Sequence, residues 1–308
     1  MTIRIGTRGS QLALWQAHYI EKLLNKVDIH AEIVIIQTKG DKILDKALSK
    51  IGSKGVFTEA LEQQLRDKKI DIAVHSAKDV PSTLTEDLPL LAFTEREIVN
   101  DVLVSFDSAA HLNEKSLIVG TSSTRRVALL RHFYPQVQTV DMRGNLQTRL
   151  RKLKEGQCQA LILAYAGVHR MNYHAHITQR LSLDEFTPAV GQGSIAVQIH
   201  DSLSDEKRNR LAQAINHLPT AICLQAERAF LRTLQGGCSI PVFGLATWQG
   251  EEIHLTGGII SLDGKKLIKE TLVGEAKQAT QIGKTLATQL LDKGGAQILA
   301  EIKVIQNS

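Results

Sequence analysis

Ile5-Gly6-Thr7-Arg8-Gly9-Ser10 closes a short apolar strand on Gly-Thr, turns through a basic residue and offers a serine where a helix begins. The same design returns at Val119-Gly120-Thr121-Ser122-Ser123-Thr124. Ser10 has N-cap chemistry for a helix with Leu12, Trp15, Tyr19, Ile20, Leu23 and Leu24 on one face. Ala13-Leu14 in that helix is matched by Ala128-Leu129 after the second copy. Further on, Gly55 and Gly144 each precede a basic amphipathic helix that leads into an apolar strand. Duplication of one α/β unit explains the pattern. Chance likeness of two α/β segments is the alternative left open at this level.

Outward from these two stretches, strands and helices alternate. Strands are predicted at 32–37, 70–74, 88–93, 117–119, 137–140 and 160–163, and helices at 57–68, 123–132 and 145–155. Such alternation favours parallel, doubly wound sheets with ligands at the carboxyl ends of the strands. The last third differs. Strands at 242–247, 252–260 and 266–273, with an Asp263-Gly264 hairpin turn, precede one long helix from about 275 to 292. The expected fold class is α/β: two similar doubly wound domains plus a small C-terminal α+β domain.

A chain of 308 residues is long for one core, and 43% hydrophobic residues can fill two or three. No run approaches the ~18 apolar residues of a membrane span, and the N-terminus enters a strand pattern without a secretory h-region. Three cysteines suit a reducing, cytoplasmic setting, and a net charge of +5 suits an anionic ligand if the charges converge. With 4% aromatic residues there is little to stack on bases, which argues against an RNA-binding module.

Basic and hydroxyl residues gather after the predicted strands. Arg8 follows the first. His75-Ser76-Ala77-Lys78-Asp79 follows the third, Thr121 to Arg126 another, and Arg143-Gly144-Asn145 the next. Free N–H groups at a helix start attract anions, and arginine offers a two-pronged donor for carboxylates. Arg4, Arg8, Arg125, Arg126, Arg143 and Arg149 in one cleft would hold a ligand with several negative charges. Asp79 reads as the one acid among these bases. Two roles are open for it: an ion pair with Lys78, or a carboxylate that steadies a cation or relays a proton.

Cys238 follows Gly236-Gly237, which should end a helix over Thr220–Gln235 by taking the left-handed conformation. Cys158 and Cys223 fall in periodic apolar segments. The Cys238 thiol on its loop is an attachment point, a nucleophile, or a group without consequence. His174 and His176 lack companion ligands, so no metal site is expected. Gly191-Gln192-Gly193-Ser194-Ile195-Ala196 is a weak dinucleotide match, because no clear strand opens it.

These motifs together resemble the hydroxymethylbilane synthase (porphobilinogen deaminase) family. The matching stretches run from Ile5–Ala17 through Gly52-Ser53-Lys54-Gly55-Val56-Phe57, His75–Pro81, Gly120–Arg126, Arg143–Asn145 and Pro188–Gly193 to Glu227-Arg228 and Gly236-Gly237-Cys238. The resemblance implies two domains like type II periplasmic binding proteins, at 1–95 plus 193–214 and at 98–189, and a third at 217–308. It implies one dipyrromethane cofactor joined by thioether to Cys238, porphobilinogen as substrate, and a monomer without membrane or nucleic-acid partners. Asp79 would be the catalytic aspartate. Ser76, Lys78, Asp79, Thr121, Ser122, Ser123, Arg125, Arg126, Arg143 and Gly144 would line the cofactor. Arg4, Arg8, Ser10, Arg143, Arg149, Arg170 and Gln192 would meet substrate, and Lys50, Lys54 and Phe57 would lie on a lid loop. Each pyrrole brings an acetate and a propionate, which accounts for the arginines. Lys39, Ala77, Thr124, Tyr165 and His169 depart from the family's usual residues. The competing class is a two-lobed binding protein for an oligoanion; it explains the arginines but not Cys238 or Asp79.

Overall fold

Ser10 caps the first helix as its position predicts, its hydroxyl oxygen accepting from Ala13 N at 3.3 Å. The structure is a computed structural model, and it describes residues 2–38, 58–237 and 240–307. The chain forms two units, Met1–Glu97 with Gly193–Ala221 and Ile98–Gln192 with Ile222–Ser308.

Strands and helices are numbered along the whole chain. The first unit is built on β1 (Thr2–Thr7), β2 (His30–Ile35), β3 (Ile72–Ser76), β4 (Leu90–Phe93) and β10 (Ile195–Gln198), in the order β2-β1-β3-β10-β4. On one face Ile3, Ile5, Ile72, Val74, Ile195 and Val197 are buried beneath Ile20 and Leu24 of α1 (Gln11–Asn25) and Leu211 of α6 (Asp205–Ile215). The other face packs Ala73 against Leu61 and Leu65 of α2 (Glu59–Arg66). The alternation along β3 thus places helices on both sides, and each such buried aliphatic side chain contributes roughly 1.5–3 kcal/mol.

The second unit repeats this plan with β5 (Asp101–Val104), β6 (Ile118–Gly120), β7 (Gln138–Val140), β8 (Ala160–Ala164) and β9 (Ile177–Arg180), in the order β7-β6-β8-β5-β9. Its helices are α3 (Thr124–Phe133), α4 (Leu146–Lys154) and α5 (Tyr165–Arg170). Neither sheet is wholly parallel, against the simple alternation argument. β10 runs antiparallel to β3 and β4, and β5 antiparallel to β8 and β9. Each is the first strand after the chain enters that unit, and each starts at the carboxyl end of the antiparallel strand it pairs with, Ile195 beside Ser76 of β3 and Asp101 beside Ala164 of β8.

The C-terminal sheet is an antiparallel meander of β11 (Val242–Gln249), β12 (Glu252–Ile260) and β13 (Leu267–Glu275). Phe230 of α7 (Leu218–Thr233) is fully buried beneath it. Phe243 and Ile260 join Leu129, Ile162 and Phe186 in one core, so this sheet shares its packing with the second α/β sheet. At the β12–β13 turn Gly264 has φ 77°, and a Cβ there would come within 2.8 Å of Ala128 O.

Two helix ends differ from expectation. Past α7 it is Gln235, with φ 51°, that takes the left-handed conformation, while Gly236 N bonds back to Leu231 O at 2.9 Å. A Cβ at Gly236 would lie 2.5 Å from Leu231 Cδ1, so that side chain would have to shift to admit one. At the other end Gly294-Gly295 does not finish the helical region. α8 (Ala279–Leu290) passes through a kink with Gly294 at φ 105°, and α9 (Ala296–Asn307) follows, burying Ile298, Leu299 and Ile302.

Candidate functional site

In the first unit the candidate residues gather where β1 and β3, parallel neighbours, reach their carboxyl ends. Thr7 is buried and its hydroxyl donates to Ala13 O at 3.1 Å, fixing the turn that carries half-buried Arg8 into the Ser10 cap. After β3 the chain makes a single 3₁₀ turn, Ala77–Asp79. Ser76 Oγ accepts from the buried Gln16 amide at 2.8 Å, and Ala77 N donates to Ser194 O at 3.0 Å. Beneath this turn His75 is buried. Desolvation, with a smaller push from the Arg8 charge, holds its imidazole neutral with a pKa of about 4. Arg8, Ser10, Ser76, Lys78 and Asp79 therefore share one end of the sheet. Asp79 is exposed, and among the described residues no hydrogen bond or ion pair engages its carboxylate, so the Lys78 ion-pair alternative has no support.

Arg4 does not join them. Its guanidinium grips Asp71 through Nε at 3.0 Å and Nη2 at 3.3 Å, and Asp71 stands immediately before β3. In a parallel pair that is the amino end of the sheet, one strand length from Arg8. Counting arginines near a strand could not separate its two ends.

In the second unit Ser122 Oγ donates to Met142 O at 3.1 Å, and Ser123 caps α3. Thr121 is buried, its hydroxyl accepting from Ser123 N at 3.3 Å. Beside this helix start, Arg143 Nε contacts Asp141 at 3.2 Å, and Arg149 Nε donates to Gly144 O at 2.9 Å. Gly144 has φ 110°, and a Cβ would lie 2.7 Å from Thr148 Cβ, so glycine is required for this turn. Arg143, Gly144 and Arg149 thus form one group at the end of β7. Arg170 ends α5, which follows β8, and is half-buried.

Arg125 and Arg126 are 4% and 5% exposed, and both reach Asp101, which is fully buried. The expectation that Asp79 is the one acid among the bases is therefore incorrect. Asp101 is the acid missed, and its signal was an aspartate opening the apolar run Asp101-Val102-Leu103-Val104. Gln192 is 1% exposed, donating to Val99 O at 2.7 Å and to Asp101 Oδ1 at 2.9 Å, which places it under the arginine pair. Cys238, Lys39, Lys50, Lys54 and Phe57 lie outside the described residues. Cys158 and Cys223 are buried among apolar side chains as expected.

Among the described residues no group of three or more metal-ligating side chains converges, and no helix is long and apolar enough to cross a membrane. Residues 3–208 match the family model described as porphobilinogen deaminase, dipyromethane cofactor binding domain, and residues 221–292 match that of the porphobilinogen deaminase C-terminal domain. The chain is 56% identical over 303 residues to a porphobilinogen deaminase of Cytophaga hutchinsonii, covering 98% of this chain and 97% of the relative. It is 52% identical over 310 residues to one of Desulfosudis oleivorans, covering both completely. Among solved structures it is similar to the methionine binding protein MetQ, at 12% identity and TM-score 0.43 over 74% of this chain and 91% of that one. On the full-length identities and the two matching models, the chain belongs to the porphobilinogen deaminase family.

Proposed function

We propose that this protein is a transferase that joins four porphobilinogen molecules head to tail, releases one ammonia at each joining, and frees the linear tetrapyrrole by hydrolysis as hydroxymethylbilane. Beyond family membership, the observation that carries the reading is the Asp79 carboxylate. It stands exposed and unengaged among the described residues, at the same sheet end as Arg8 and Lys78. As the substrate's aminomethyl C–N bond breaks and ammonia leaves with the electron pair, positive charge develops on the pyrrole. A fixed carboxylate stabilises that charge most where little else neutralises it. The same group can take up the proton lost when the next C–C bond forms.

The donor set fits the cofactor implied by the family. Arg126 Nε is buried without an acceptor among the described residues, and Arg143 and Arg149 stand at a helix start. Dipyrromethane bound through Cys238 would supply the free pyrrole carbon to which the first unit is added. Arg125, Arg126, Arg143 and the Thr121–Ser123 turn would hold its acetate and propionate groups, and Arg8 and Arg149 those of the substrate. The same reading makes the protein a cytoplasmic monomer. Incubation with porphobilinogen tests it: ammonia and hydroxymethylbilane should appear in a ratio of four to one. Saturable binding without ammonia release would instead mark a receptor for an oligoanion.

A further inference from the structure

Asp101 opens β5, and because β5 is antiparallel to β8 its first residue pairs with Ala164, at the carboxyl end of β8. Asp101 Oδ2 accepts from Arg125 Nη2 at 2.6 Å. Its Oδ1 accepts from Arg126 Nη2 at 2.7 Å and from Gln192 Nε2 at 2.9 Å. The other terminal nitrogens are tied as well. Arg125 Nη1 donates to Thr187 O and Arg126 Nη1 to Ile162 O, each at 2.9 Å. Every guanidinium is thus held at two points, and neither can swing. Burial by itself would raise the Asp101 pKa, but the charges of Arg125 and Arg126 outweigh it and keep the carboxyl ionised well below the usual range.

Two cations against one anion leave a single net positive charge in a buried place. One donor is also left over, because Arg126 Nε is buried and finds no acceptor among the described residues. A buried donor without a partner is costly, and an anionic group placed against it removes that cost. A cluster serving stability alone would gain by matching this donor within the protein, so the mismatch points to a ligand.

We propose that Asp101 is the positioning residue of the anion site: it locks Arg125 and Arg126 into one rigid fork and reduces their charge to match a single carboxylate of the bound pyrrole chain, which Arg126 Nε meets. The inference rests on the function proposed above and names an acid that acts through the arginines. Asp101 itself touches neither substrate nor cofactor.

The test is the rate at which the apo-protein, given porphobilinogen, gains a covalent adduct of two deaminated units, followed by intact mass. Asp101→Asn keeps the shape and removes the charge. It should slow adduct formation about 10-fold or more, the scale on which groups that orient a binding residue act. Val104→Ala, on the same buried strand but away from the arginines, serves as a control for lost packing and should acquire the adduct at the wild-type rate. Equal slowing in both variants, or wild-type rate in Asp101→Asn, overturns the inference. Should Asp101→Asn fail to fold, Gln192→Met decides, since it removes one donor to Asp101 and leaves the charge. Slowing of about 3-fold or more supports the positioning role, and a wild-type rate overturns it. Absence of an adduct on the wild-type protein would be a failure of the proposed function, a separate result.

Discussion

His75 Nε2 lies 3.1 Å from Gln198 Oε1 between two paired strands of the first sheet, and both side chains are buried. Gln198 Nε2 in turn donates to Leu88 O at 3.0 Å, so its amide oxygen faces the imidazole and His75 donates as a neutral ring. Desolvation first, then the Arg8 charge, lower its pKa to about 4, while the Gln198 bond works the other way.

A depressed folded-state pKa means that the unfolded chain takes up the proton first as pH falls. Stability tied to His75 is therefore complete above the unfolded value near 6.5 and is lost as pH falls toward about 4. The whole contribution is at most roughly 3 kcal/mol. Urea unfolding of wild type and His75→Gln across this window checks it. The difference between the two should shrink with falling pH, whereas a constant difference contradicts a buried neutral imidazole.

Asp79→Asn preserves size and removes charge from an exposed carboxylate, so folding should be unchanged. Ammonia release should fall by ~10²–10³ or more, with substrate binding reduced much less because the arginines remain. Single-turnover ammonia release alongside equilibrium binding separates the two. Release within a few-fold of wild type would reduce Asp79 to a surface acid.

Arg126→Ala and Arg143→Ala should differ in kind. Removing Arg126 takes one partner from the buried Asp101 and should cost about 3–5 kcal/mol of stability. Arg143 contacts Asp141, whose side chain is 64% exposed, and such a pair contributes about 1 kcal/mol or less. Its loss should lower Tm less than the loss of Arg126 does, while weakening anion binding. Thermal unfolding beside binding of porphobilinogen distinguishes them, and equal Tm losses would contradict this division.

Local signals made most of the fold legible. The Ser10 cap, the helices opening near Ser123 and Asn145, the glycine ahead of the second and the β12–β13 hairpin depend on neighbours in sequence, and each stands where its residues predict. What was not legible depends on partners distant in sequence. Nothing near Arg4 shows that Asp71, 67 residues away, holds it at the wrong end of the sheet. An aspartate opening the apolar run at Asp101 signals an acid in a buried strand, but nothing near it shows that it will meet Arg125 and Arg126. The antiparallel β5 and β10 were hidden for the same reason, since strand direction is set by the path of the chain between units.

The intact mass of the purified wild-type protein, measured beside Cys238→Ser, Cys158→Ser and Cys223→Ser, bears most directly on the proposed function. Wild type and the last two variants should carry an added mass equal to two deaminated porphobilinogen units, and Cys238→Ser should carry none. An unmodified mass in wild-type protein that releases ammonia from porphobilinogen would contradict covalent anchoring at Cys238. An adduct surviving in Cys238→Ser would contradict it equally.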